Sequence, residues 1–260
     1  MLRSGEGSSL LFLIILCAIL VVIVQMAWRG KFTPRVRKVG QLDSIVELVG
    51  RATEMGRPVL YMPGSGGLTG GDVAPSTVAG LSILGYTAEL CAKYGAKMYA
   101  TFRLPETQAA AKDIVQLAYL AAGKPEAFDP NLLIYVAPTS QSYTMGVLGL
   151  MNREKIAANI MTGMLWAESI MFSEEAANLG AMQLGGTANP TQLPFVLACC
   201  DYCLIGEELF AAGAYLSKDP KQLGTVVGQD MCKLVVIALI IVGVLATLAH
   251  SSILSDLLRW

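Results

Sequence analysis

Histidine is nearly missing from this chain. The one copy in 260 residues, His250, lies close to the C-terminus, so the usual base for a serine or cysteine nucleophile is absent from the body of the sequence. Charge is also scarce and almost balanced, with 19 Lys and Arg against 20 Asp and Glu, 15% of the residues together. Phosphate neutralisation needs a basic surface that such a composition does not supply, and nucleic acid is not expected as a partner. No repeat at a fixed spacing and no low-complexity linker divides the chain. The six cysteines do not read as a disulfide framework. Cys17 lies in an apolar run and the others in apolar or helical contexts, as expected of reduced thiols in a cytosolic compartment.

Apolar sequence, by contrast, is abundant: 54% of the residues are hydrophobic. Much of it is concentrated in two runs near the ends, Ser9 to Trp28 and Leu234 to Ala249. The first has the length and interfacial tryptophan of a membrane-spanning helix. The second reaches that length if Met231, Cys232 and a snorkelling Lys233 extend it. A cleavable signal peptide is the competing reading of the first run, but no small-residue cleavage site follows it. A buried core helix is the competing reading of the second. Basic residues give the pair a direction. Arg29, Lys31, Arg35, Arg37 and Lys38 follow the first run and Lys233 precedes the second, whereas the outer ends carry Arg3 and Arg259 beside Glu6 and Asp256. The positive-inside rule then puts the middle of the chain in the cytoplasm and both termini outside, in an integral protein of the cell membrane. The expected division is an N-terminal anchor at 1–29, a basic juxtamembrane linker at 30–40 lying against anionic headgroups, a cytosolic domain at 41–230, and a C-terminal span with a short tail at 231–260.

From Gln41 onward short apolar segments alternate with amphipathic or small-residue helices. PVLYM, KMYATF, NLLIYVA, IAANIMTG, AMQLGGT and DYCLIG read as strands, and the segments between them as helices opened by Ser, Pro or acidic residues and closed by glycine. Apolar strands separated by helices predict a parallel sheet covered on both faces, and right-handed crossovers make that a three-layer, Rossmann-like α/β domain.

Ligands of such sheets bind beyond the carboxyl ends of the strands. PGSGGLTGG follows the first strand, and its closely spaced glycines can turn successive N–H groups toward an anion. It is not a P-loop, because the lysine is missing, and Thr69 stands where a GxGxxG fingerprint needs its third glycine. Pro63 likewise spoils the GxSxG pattern around Ser65. The candidate ligand residues are therefore Gly64, Ser65, Gly66, Gly67, Arg103, Thr139, Ser140, Thr187 and Asn189, with no catalytic residue, metal ligand or cofactor assigned. Glu168, Glu207 and Glu208 also follow strands. Acidic residues in a first helical turn complement the helix dipole, and they are read that way. Cys200 and Cys203 have CxxC spacing, but with no second pair and no histidine nearby they read as small buried hydrophobes.

The run YMPGSGGLTGGDVAPSTVAGLSILGYTAE, the later APTSQSY and GGTANPTQLPF, and the two terminal apolar runs resemble a family of uncharacterised prokaryotic membrane proteins known only as a domain of unknown function. The resemblance covers most of the chain and implies an architecture, but no activity or site residue. Two readings of function follow from the residues. In the first, the protein is a structural or assembly component that forms a homo-oligomer at the cytoplasmic face, through helices rich in Gly, Ala and Met, with the lipid bilayer and other membrane proteins as partners. In the second, it is a membrane-tethered enzyme or sensor holding a small anion or nucleotide at Gly64–Gly67 opposite Arg103.

Overall fold

The computed structural model describes residues 6–30, 39–71 and 73–248. The basic residues Lys31, Arg35, Arg37 and Lys38, together with Asp72, His250 and the charged residues Arg3, Asp256 and Arg259, lie outside that range. The chain divides into two units. Arg37–Ser217 is one, and Met1–Val36 with Lys218–Trp260 is the other.

The first unit is the expected α/β domain. A first helix within it, α2 (Leu42–Met55), precedes six strands: β1 (Val59–Gly64), β2 (Met98–Phe102), β3 (Leu133–Tyr135), β4 (Ala158–Met164), β5 (Met182–Thr187) and β6 (Tyr202–Ile205). All pair in parallel, in the order β3-β2-β1-β4-β5-β6. The crossovers are α3 (Ala74–Tyr94), α4 (Pro105–Ala121), α5 (Ser140–Glu154), α6 (Glu168–Asn178) and α7 (Leu193–Cys199), and α8 (Glu207–Ser217) follows the last strand. Glycines end α2 and α3 as the sequence predicts, Gly56 at φ 61° and Gly95 at φ 74°.

Successive residues of β1 point to opposite faces and so join two cores. Tyr61 packs with Leu48, Ile83, Leu84, Phe102 and Leu209 beneath α2, α3, α4 and α8. Leu60 and Met62 pack with Tyr143, Val147, Met161 and Phe172 beneath α5, α6 and α7. The Tyr61 hydroxyl is buried in the first core, donating to the Gly80 carbonyl at 2.6 Å and meeting the Thr162 hydroxyl. Burial pushes its phenol well above the usual tyrosine range, and the Thr162 contact only partly offsets this.

Pro63 in a central strand breaks an ordinary rule, since proline cannot donate to the ladder. A bulge resolves the conflict. The β1–β4 register shifts between Met62 and Gly64, and Gly163 opposite adopts φ 118°, where an added Cβ would stand 2.5 Å from the Pro63 carbonyl oxygen.

The second unit contains α1 (Glu6–Trp28) and α9 (Pro220–Leu248). They run antiparallel in close contact. An added Cβ on Gly224 would lie 2.9 Å from the Ala27 Cβ, Gly228 faces Leu20 and Ile23, and the Cys232 thiol points to the Leu16 carbonyl at 3.7 Å. Small residues four apart give the backbones room to approach. The Lys221 ammonium sits 4.6 Å from the centre of the Trp28 ring. Two expectations need correction here. The second apolar helix starts at Pro220 rather than near Met231, with Asp219 accepting from the Lys221 amide at 3.1 Å. Among the described residues, moreover, one helix and not two is long and apolar enough to cross a membrane, at Pro220–Leu245, while the apolar stretch Phe12–Trp28 is shorter. Only 6% of the most apolar 18-residue window of the longer helix is buried.

Candidate functional site

The strand order reverses between β1 and β4. The chain leaves β1 through α3 toward β2 and returns through α5 to β4, which opens a crevice above the carboxyl ends of the two central strands. Ser65, immediately after β1, is 3% exposed; its amide donates to the Met164 carbonyl at 2.9 Å and its hydroxyl donates to the Glu168 carboxylate. Glu168 opens α6 just beyond β4. It is buried to the same degree as the core, and its second oxygen accepts from the Ser140 hydroxyl at 3.4 Å. Three elements that are distant in sequence thus close on one carboxylate, which is further favoured by the N-terminus of α6.

Tyr143 of α5 lies beneath this group. Its hydroxyl meets the Thr101 hydroxyl at 3.2 Å and the Thr101 carbonyl at 3.4 Å. Burial drives its pKa far above the usual value, the Thr101 bond lowers it, the Glu168 charge raises it and the Arg103 charge lowers it again. Arg103 and Glu168 therefore act on the same phenol from opposite sides of the charge balance. The Arg103 Nε is buried and has no hydrogen-bond partner among the described residues. A cavity of ≈ 10 Å³, room for about one water, remains between Met62, Ser65, Tyr143, Glu168 and Phe172.

The glycine-rich loop is tightly packed by its own chain. Gly64 has φ 79° and sits where a Cβ would be 2.5 Å from the Met164 carbonyl oxygen. A Cβ on Gly66 would meet Val73 and Thr77 at 2.4 and 2.7 Å, and one on Gly67 would lie 2.7 Å from the Glu106 carboxylate. That carboxylate accepts from the Leu68 amide at 3.1 Å. An N–H of the loop thus already faces an anion, supplied by the first turn of α4.

The remaining candidates divide. Ser140 joins the Glu168 cluster, and Thr139 before it caps α5 by accepting from the Ser142 amide at 3.4 Å. Thr187 accepts from the Asn189 amide at 3.2 Å, and the Asn189 side chain donates to the Leu165 carbonyl at 3.1 Å while its oxygen accepts from Thr191. These two brace the turn after β5, and no hydrogen bond ties them to Ser65 or Arg103. Glu106, Glu168 and Tyr143 were not among the candidate ligand residues. For Glu168 a signal existed, its position directly after a strand; Glu106 and Tyr143 come from helix interiors or first turns with no such mark.

The cysteines near the C-terminal strands have local partners. Cys203 donates to the Val196 carbonyl at 3.4 Å and Cys200 lies 3.8 Å from the Ser173 hydroxyl. Burial pushes the Cys200 thiol up to about 12. No group of three His, Cys, Asp or Glu side chains able to hold a metal occurs among the described residues.

Sheet order and crevice define a parallel α/β domain of the doubly wound type, here carried on a chain whose ends form a separate helix pair. The chain belongs to the DUF6754 family, a domain of unknown function, which it matches over residues 1–258. No curated protein and no solved structure matches it.

Proposed function

We propose that the protein is an assembly component of the cell membrane. In this reading α9 crosses the bilayer and α1, although its apolar stretch Phe12–Trp28 is shorter, crosses packed antiparallel against it; both termini lie outside, and Arg37–Ser217 is held at the cytoplasmic face, where copies associate. The observation that carries it is a contrast of surfaces. The strand-end crevice is filled by the chain's own Ser65, Glu168, Ser140 and Glu106 contacts, while large apolar side chains stand exposed on the covering helices: Leu117 of α4 (65%), Met145 of α5 (65%) and Leu197 of α7 (51%). Apolar residues presented on several helices suit contact with other copies or with membrane partners better than they suit solvent. Native mass measurement in mild detergent tests the reading: several copies without a bound small molecule are expected, and a monomer would refute it. The topology has its own test. A cysteine placed at Ser4 or Ser255 should react with an impermeant reagent in intact cells, and reaction only after permeabilisation would reverse the orientation.

One observation favours a second reading, in which the crevice takes a small anion. Arg103, just beyond β2 and near enough for its charge to act on the Tyr143 phenol, has a buried Nε without a hydrogen-bond partner among the described residues, and an arginine beyond a strand end can fork onto a phosphate or carboxylate. Inorganic phosphate or a nucleotide should then raise the melting temperature of the wild type and leave that of Arg103→Ala unchanged. Equal response of both proteins, or none, removes this reading.

A further inference from the structure

The helix α9 carries charge where a membrane span should have none. Asp230 and Lys233 form an i,i+3 ion pair at 3.3 Å, with side chains 66% and 44% exposed. Both lie within the helix that carries the candidate span, Pro220–Leu245. The contacts to α1 set their depth: Cys232 is level with Leu16 and Gly228 with Leu20, within the uncharged run of α1. Ionisable side chains at that depth are costly against lipid and almost always face protein or a water-filled path.

Their direction is defined. At about 100° per residue, Asp230, Lys233, Ile237, Ile240 and Val244 fall about 120–200° around α9 from Gly228, on the side opposite α1. Their spacing of three and four residues in alternation is that of a coiled-coil seam, with β-branched residues at three of its positions. All five are exposed. The stripe is therefore a continuous seam with one acid and one base a turn apart, turned away from its intramolecular neighbour.

We propose that this seam is the contact between two copies of the chain within the membrane, with Asp230 of one copy set against Lys233 of the other. The match is one of charge: in a parallel pair of identical helices each acid stands only three residues, about 4.5 Å along the axis, from the opposite base, within reach of the long lysine side chain, and every charge then gains an interchain partner out of reach of lipid. The apolar positions Ile237, Ile240 and Val244 continue the contact toward the end of the helix. This rests on α9 being a span, as proposed above, and it specifies which surface joins the copies.

The test uses full-length chains carrying donor and acceptor fluorophores in phosphatidylcholine–phosphatidylglycerol vesicles. Energy transfer is read against the protein-to-lipid ratio, and resistance to alkaline carbonate extraction is scored for each sample. The wild type should associate. Asp230→Lys alone and Lys233→Asp alone, each with two like charges on its seam, should associate about tenfold more weakly. A mixture of the two should recover wild-type association, because their charges match only between chains. A wild type that stays monomeric while resisting extraction overturns the seam and leaves the span standing; extraction of the wild type overturns the span itself and the seam with it. Undiminished self-association of the two variants also overturns the proposal. Should a charge variant fail to insert, Asp230→Asn and Lys233→Gln replace it: weaker association of each supports the seam, and unchanged association refutes it.

Discussion

The two units of this chain are held together by opposite means. Arg37–Ser217 fills the space around its sheet with large side chains, Tyr61, Phe102, Tyr143 and Met151 among the most completely buried. The α1–α9 pair removes side chains instead, placing Gly224 and Gly228 where their backbones meet Ala27 and Leu20. Bulk stabilises a core by withdrawing apolar area from water. Where lipid takes the place of water that gain vanishes, and close backbone contact becomes the main source of attraction. Glycine thus has two meanings here. At Gly64 and Gly163 it serves an unusual backbone conformation against a strand, and at Gly224 and Gly228 it serves close approach in a regular helix.

The contrast can be broken most severely at Gly64. Alanine there would need φ 79° and would put a Cβ 2.5 Å from the Met164 carbonyl, so Gly64→Ala should lower the stability of the α/β unit by about 3 kcal/mol or more. Thermal denaturation in detergent, followed by near-ultraviolet circular dichroism, reports it. A midpoint unchanged from the wild type would show that the β1–β4 bulge yields without strain.

A smaller loss is expected from the crevice. Ser65→Ala leaves the Glu168 carboxylate short of one donor while burial persists, and should cost roughly 1–3 kcal/mol in the same melt. The double variant Ser65→Ala with Glu168→Gln should recover part of that loss, since the amide needs less solvation than the charge. If the double variant is instead additive, the two side chains do not share a function.

Alkaline pH tests the aliphatic side of the comparison. Burial holds the Cys91 thiol at about 12 and the Cys200 thiol at about 12, against an ordinary 9.0. Unfolded thiols release their protons first, so stability is constant from these groups below about pH 9 and falls as pH rises toward 12, by at most about 1.4 kcal/mol per pH unit for each group. Cys91→Ala should melt with a shallower alkaline slope than the wild type. An identical slope would assign the loss to other groups.

The least effect on that melt is expected from the helix pair. Gly228→Leu should force α1 and α9 apart, seen as a several-fold lower yield of oxidative cross-linking between Cys232 and a cysteine introduced by Leu16→Cys. The midpoint of the α/β unit should stay within about 1 °C of the wild type, because Gly228 belongs to the other compact unit of the chain and shares no packing partner with the sheet core. A large fall would make the two units one cooperative body.

Much of this arrangement was open to reading in the residues. All six strands and their crossovers lie where alternation of apolar segments and helix signals put them, including the short α7 with Pro194 in its first turn. The displaced helix start has a physical cause. Hydropathy drew the start of the last helix toward Met231, although Asp219 and Pro220 form an ordinary N-terminal signal, because charged residues in its first half dilute the apolar run. In the crevice, the glycines read as a cradle for a ligand also stand against Met164, Val73, Thr77 and Glu106. Met164 and Glu106, far away in sequence, leave no local trace. Glycine spacing reports that something approaches the backbone closely, and it does not say whether the visitor is a ligand or another part of the chain.

The outer strands carry one more consequence. β3 spans three residues and β6 four, against six and seven for the central β1 and β4, and β3 is preceded by short turns containing Pro125 and Pro130. Each rim of the sheet therefore offers an approaching strand only a handful of free amides and carbonyls, too short a template for runaway templated stacking. Copies crowded at high local density on a surface would meet helix against helix, and the ordered, reversible kind of encounter would be favoured over the fibrous one.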